Sequence, residues 1–314
     1  MPISKSKQIL FTIAKYGLIA LSCWYLYDRL AADKELIIKT IHDLDILSIA
    51  HLCIIALSGA FFNWLTESLK WKIITKPIAK LKLSAAIVQT LAAHAIAVMT
   101  PQKIGEFGAR PFFFHRVQAR KVVAYTMINS MLQLGATLFF SIIGVIYFLV
   151  NFREVLYNTD HYPIIGLLII MLLSLLFFTR RKFRDRIKAF FNVTVFANDV
   201  KRSALLSLLR YVIFSHQYFL LLYLFNSGIN YLEAMPVLFM VYLFISVVPS
   251  VFVFDIAIRG GLGVFFFGLI DVPASSVVLT ATFMWLANAG LPALIGNIFV
   301  ARYKVKRMPK IFST

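Results

Sequence analysis

Residues 84–111 read SAAIVQTLAAHAIAVMTPQKIGEFGARP. Residues 84–99 form an apolar run interrupted by Gln89 and His94, and the run stops at Thr100-Pro101. A helix that crosses a bilayer takes about 20 predominantly apolar residues, so this run is short for a crossing. The flanking charges make the same point. Segments 67–82 and 100–121 each carry +4, and basic loops stay on the cytoplasmic side. A crossing helix between them would carry one to the wrong side. The stretch therefore predicts a re-entrant segment that enters and returns on one side, its broken backbone sheltered by protein or lining a cavity.

The rest of the chain is of the same kind. Of its 314 residues 60% are hydrophobic and 15% charged, with a mean hydropathy of +0.81, against roughly 45–50% apolar and 25% charged in a soluble domain. A soluble single domain is excluded. Apolar runs predict helices near 10–27, 46–66, 84–99, 122–150, 163–179, 203–225, 234–254, 264–270 and 276–300. Lys5 and Lys7 before the first run resemble a signal peptide's basic start, but Lys15 interrupts its core, so a retained first helix is expected. The expected fold class is an all-α polytopic membrane protein, a single membrane domain of about six crossing helices and two re-entrant hairpins.

The net charge of +18 would point to nucleic acid in a soluble protein, but here the basic residues fall between apolar runs. Topology explains them, and no nucleic-acid partner is expected. Segments 1–9, 67–82, 100–121, 179–202 and 301–314 are basic, whereas 28–45, 151–162 and 226–234 are slightly acidic. That distribution places both termini in the cytoplasm of a cell-membrane protein. Residues 180–202 put Phe183, Ile187, Phe190 and Phe191 at helical spacing among basic residues, as an amphipathic helix on the inner leaflet would. Cys23 and Cys53 read as small packing residues within apolar runs. No P-loop or metal-ligand spacing is present, so no cofactor is expected.

Pro101 and Pro249 lie at similar depths in two halves, 1–150 and 151–314, each expected to hold two crossing helices, a broken hairpin and a last crossing helix. Three crossings per half would invert the second copy relative to the first. Inverted repeats with broken helices are a transporter architecture, in which the breaks mark the substrate site.

The first break suggests a helix capped by Thr100 and opened by Pro101, with Lys103, Glu106 and Arg110 along one stripe and Gly105 and Gly108 beside it. Lys103 and Arg110 suit a phosphate, and Glu106 suits either Arg110 or a cationic group. The alternative is an ordinary loop with Glu106 and Arg110 as a weak surface pair. The second break is expected to run from Val248-Pro249-Ser250 to Gly263, where Asp255 and Arg259 would pair four apart and Gly260, Gly261 and Gly263 would permit a turn or a close helix contact. A charged pair within apolar sequence is a functional candidate, or a satisfied pair that locks a hairpin. Asn63, Glu67, Asn129, Gln133, Arg210, His216 and Gln217 are candidates for a headgroup path or for interhelical hydrogen bonds.

Pro101-Gln102-Lys103-Ile104-Gly105-Glu106, with Arg110 following, resembles the proline-glycine-basic-x-glycine-glutamate signature of the transmembrane region of lysylphosphatidylglycerol synthases and their stand-alone, flippase-like relatives. Gly260-Gly261-Leu262-Gly263 is similar to the family's second glycine-rich motif. Gln102 stands where the family usually has glycine, and Arg259 and Phe266 stand where the commoner pattern has proline and glutamate. The resemblance implies the lipid-translocating part without the lipid-synthesising part. On that reading the substrate and partner is a membrane phospholipid, anionic or aminoacylated, bound by Pro101, Lys103, Gly105, Glu106, Arg110, Asp255, Arg259, Gly260, Gly261 and Gly263. Two other classes stay open: an enzyme acting on a polyprenyl-phosphate or lipid-linked sugar with Glu106 or Asp255 as base, and a non-catalytic membrane partner protein.

Overall fold

A computed structural model describes residues 45–98, 100, 104–152, 193–194, 196–226, 228–248 and 252–302. The expected helices near 10–27 and 163–179, most of the amphipathic segment 180–202, Cys23, Pro101, Gln102, Lys103 and Pro249 lie outside these residues. Among the described residues every regular element is helical. The order is α1 (Ile46–Ile74), α2 (Leu83–Ala97), α3 (Gly105–Ala109), two 3-10 turns (Arg110–Phe113 and Arg116–Gln118), α4 (Ala119–Asn151), α5 (Ala197–Phe225), α6 (Tyr231–Val247), α7 (Phe252–Gly268), α8 (Ala274–Trp285), a π turn (Leu286–Gly290) and α9 (Leu291–Arg302). Four continuous spans among the described residues, Ile46–Ile74, Arg116–Asn151, Ala197–Phe225 and Ala274–Arg302, are long and apolar enough to cross a membrane.

The polarity of α1 is turned inside out. Ile46, Leu47, Ile54, Leu57, Phe61 and Phe62 are exposed, whereas Asn63, Glu67, Ser68 and Lys70 are buried. Such a face suits lipid as the surrounding solvent, with the polar groups kept for protein contacts. Asp45 caps the helix by accepting the Ser48 N–H at 2.8 Å, and hydrogen bonds from Ser48 hold its carboxyl below the usual range. The helix ends at Ile74, just before Lys76-Pro77, because a residue preceding proline is pushed out of the helical region. It was expected to end near 66. It continues because Glu67 pairs with Lys70, Arg110 and Arg210 inside the bundle instead of sitting in a loop; losing one charge of each sign, Glu67 and Lys70, leaves the basic balance of 67–82 unchanged.

Helices α1 and α5 pack along their length, burying Leu52, Ala56 and Ala60 of α1 with Leu221 of α5. The other main pairings are α2 with α9 and α4 with α6, and α7 packs between α6 and α8. In both of these crossed pairings a glycine permits the approach. A Cβ on Gly144 of α4 would lie 2.7 Å from the Pro236 carbonyl oxygen of α6, and one on Gly296 of α9 would collide with the Leu91 carbonyl of α2.

Three further expectations need correction. The second break was expected from Val248 to Gly263, but α6 ends at Val247 and α7 already starts at Phe252 and runs through Gly260, Gly261 and Gly263 to Gly268. The helix resumes before Asp255, so Gly260, Gly261 and Gly263 are buried helical positions. Gly263 serves close packing, since a Cβ there would meet Val277 Cγ1 of α8 at 2.8 Å. At the first break α3 is only five residues long, and Thr100 acts by accepting the Gly105 N–H at 2.7 Å. Cys53 is exposed instead of packed.

The last span also departs from a plain helix. Pro292 has no N–H to give the Asn288 carbonyl four residues back, and its ring would clash with it. The backbone widens to a π turn over Leu286–Gly290, and Leu291 N–H bonds the Leu286 carbonyl. The Asn288 carbonyl, released from the helix, accepts the Trp64 Nε1–H at 3.1 Å. The next carbonyl, of Ala289, lies 3.2 Å from His94 Nε2, which must therefore carry the ring proton.

Candidate functional site

The buried carboxylate of Glu67 gathers groups from four elements. Its Oε2 accepts from Lys70 Nζ at 3.2 Å and from Arg210 Nη1 of α5 at 2.7 Å. Its Oε1 accepts from Asn129 Nδ2 of α4 at 2.6 Å and faces Arg110 Nη2 at 3.4 Å. Arg110 begins the 3-10 turn after α3 and is completely buried. Its Nε donates to Glu106 Oε1 at 2.8 Å, its Nη2 bonds the same oxygen, and its guanidinium lies 3.8 Å above the Trp71 ring. Gln89 of α2 accepts the Trp71 indole N–H at 2.9 Å and so fixes the ring under the cation. The expected pairing of Glu106 with Arg110 is thus present, as an interior pair and not the weak surface pair of the alternative reading.

Three cations, Lys70, Arg110 and Arg210, share two carboxylates, Glu67 and Glu106. One positive charge is left over. Burial at this level is tolerable only because every charge has a near partner; leaving one unpaired would cost several kcal/mol, about 3–5 in comparable cases. Arg110 Nη1 is buried with no hydrogen-bond partner among the described residues.

Arg210 connects this cluster to a cavity. Its Nε donates to Asn63 Oδ1 at 2.7 Å, and Nη1 also reaches Gln133 Oε1 at 3.4 Å. Asn63, Gln133 and Arg210 all line a cavity of about 300 Å³ whose wall is formed by α1, α4 to α8 and the π turn. Asp255 and Arg259 of α7 line it too, paired at 2.8 Å through Arg259 Nε, so the expected i,i+4 pair is formed. Two guanidinium side chains and one carboxylate therefore face one cavity. Its polar floor continues through Asn288, which bonds Asn63 at 2.8 Å and Gln217 at 3.1 Å.

The sequence-based candidates therefore divide. Asp255 and Arg259 reach the cavity directly. Glu106 and Arg110 do not line it; Arg110 is linked to it through Glu67, whose partners Arg210 and Lys70 bond the lining residues Asn63 and Gln133. Gly105 begins α3 and Gly260, Gly261 and Gly263 are buried within α7, while Pro101 and Lys103 lie outside the described residues. Lys70, Trp64, Trp71 and Asn288 had not been singled out, although Lys70 follows Glu67 by one helical turn. His216 turns away from the cluster and bonds the Tyr231 hydroxyl at 2.9 Å. Among the described residues no three His, Cys, Asp or Glu side chains converge as metal ligands do. No protein-family model matches the chain, and no curated protein matches it.

Proposed function

We propose that the chain is an integral membrane lipid translocase of the flippase-like kind, moving an anionic or aminoacylated phospholipid between leaflets. One observation carries the reading. Between helices long and apolar enough to span a bilayer lies a cavity with two arginines and one aspartate on its wall, a charge pattern suited to a phosphate with an amine or hydroxyl beside it. Arg259 and Arg210 take the phosphate, and Asp255 meets a headgroup amine. Arg210 is shared with Glu67, so phosphate binding draws it from that carboxylate while Lys70 and Arg110 keep Glu67 neutralised.

The element lengths support re-entrant hairpins. At 1.5 Å per residue the 15-residue α2 and the 17-residue α6 and α7 reach about 23–26 Å, less than the roughly 30 Å hydrocarbon core. The crossed pairings support two inverted halves, since α2 of the first packs on α9 of the second and α6 of the second packs on α4 of the first. On this reading there are six crossings and two hairpins in the cell membrane, with both termini cytoplasmic. The motif resemblance to the transmembrane region of lysylphosphatidylglycerol synthases points the same way. Glu67, Glu106 and Asp255 each hold a cation, which favours binding over the general-base role an enzyme on a polyprenyl-phosphate would need.

The reading is tested by reconstituting the full chain in liposomes with headgroup-labelled phosphatidylglycerol or its lysyl ester and measuring loss of outer-leaflet label. Exchange above protein-free liposomes is expected. No exchange of either lipid would refute it and favour the enzyme or partner-protein alternatives.

A further inference from the structure

Beside the polar cavity runs a second hollow, of about 230 Å³, between α1, α2 and the π turn with α9. Its wall is hydrocarbon and aromatic: Leu57 and Phe61 of α1, Leu91 of α2, and Leu291 and Ile295 of α9. The mouth faces outward, because Leu57, Phe61 and Leu291 are 53%, 62% and 40% exposed. One side chain, Trp64, belongs to the walls of both hollows. The π turn is divided in the same manner, with Ala287 on the apolar side and Asn288 and Ala289 on the polar side.

We infer that the apolar hollow holds an acyl chain of the same phospholipid whose phosphate occupies the polar cavity, and that Trp64 is the partition the lipid straddles. This rests on the headgroup reading above. The occupant is argued from the juxtaposition. An amphiphile with a charged head and a hydrocarbon tail is the chemistry that fills a polar and an apolar space sharing one wall, and the apolar mouth opens where lipid chains would lie. A second protein would have no use for the polar half.

Trp64 is built to stay in place. Its indole N–H is held by the Asn288 carbonyl freed by Pro292, and the His94 ring packs against it at 4.5 Å between centroids. The tryptophan is therefore a positioning residue. It sets where the head ends and the chain begins, and π turns recur at such working sites.

The test compares binding of dioleoyl and dihexanoyl phosphatidylglycerol to the full chain in detergent, by native mass spectrometry and by competition. Leu57→Trp and Leu291→Trp narrow the hollow from its exposed rim, while Arg210→Gln alters the polar cavity. The expected result is that both rim variants weaken dioleoyl binding by roughly tenfold or more and binding of the dihexanoyl lipid, whose chains fill little of the hollow, by much less. Arg210→Gln should weaken both lipids. A diazirine on the acyl chain should label Phe61 or Leu291 in the unsubstituted protein, which keeps the test open even where a variant fails to fold. Unchanged dioleoyl binding in the rim variants, or labelling confined to other helices, would overturn the groove assignment while Arg210 still answered for the headgroup. Failure of the wild type to bind either lipid would overturn the headgroup reading and this inference with it.

Discussion

Glu67 Oε2 and Arg210 Nη1 lie 2.7 Å apart although 143 residues separate them in the chain. The contact ties α1 to α5, two helices that pack along their length. Removing its acid leaves Lys70, Arg110 and Arg210 with Glu106 as the remaining carboxylate. Glu67→Gln is therefore expected to cost about 3–5 kcal/mol, and adding Arg210→Met should recover part of that loss. Thermal unfolding of the four members of the cycle in one detergent checks it. Additive effects would mean the pair is not coupled.

The stacking of Arg110 on Trp71 separates two kinds of loss. Trp71→Phe removes the indole bond to Gln89 but keeps an aromatic face, whereas Trp71→Leu removes the face as well. Leucine should be worse than phenylalanine by about 0.5–2 kcal/mol. Equal midpoints for the two variants would show that the ring face contributes nothing.

Glycines at different places should respond in opposite ways. Gly296→Ala drives a methyl into the Leu91 carbonyl and should destabilise by about 1–3 kcal/mol, because neither backbone can yield easily. A Cβ on Gly135 meets nothing within 4 Å, so Gly135→Ala should be neutral or stabilising by up to about 1 kcal/mol through helix propensity. Thermal midpoints of the two variants decide the matter, and a tolerated Gly296→Ala would refute the close α2–α9 contact.

Asp45 gives the pH dependence open to test. Hydrogen bonds from Ser48 lower its pKa in the folded chain, so the cap is present above its unfolded value near 3.8 and is lost as pH falls through the lower folded value. Asp45→Ala should raise amide exchange at Ile46–Ile49 at neutral pH. Wild type and variant should converge in exchange once acid has protonated the cap; a difference that persists there would exclude the carboxylate as its cause.

Much of this was legible from local spacing. The apolar runs marked the long spans among the described residues, and the four-residue intervals of Glu106–Arg110 and Asp255–Arg259 foretold two ion pairs that form. Long-range chemistry was not. Glu67 and Lys70 lower the local hydropathy and so resemble the start of a loop, and only Arg110 and Arg210, distant in sequence, make them interior residues. The glycines of α7 resembled a break because glycine serves both turns and close helix contacts, and the packing of Gly263 on Val277 decides for the second. The π turn did have a signal, the four-residue interval from Asn288 to Pro292, whose meaning depends on Trp64 being there to take the released carbonyl.

The most direct measurement of the central claim is leaflet exchange in proteoliposomes with charge variants of the cavity, Arg210→Gln, Arg259→Gln and Asp255→Asn, alongside Leu209→Ala on an exposed site of α5 as the control. The expected result is exchange of labelled phosphatidylglycerol by the wild type and control, with loss in both arginine variants. Asp255→Asn should reduce exchange of the lysyl ester more than that of phosphatidylglycerol itself. Wild-type exchange that survives both arginine substitutions would contradict the account, because the lipid headgroup would then be passing somewhere other than this cavity.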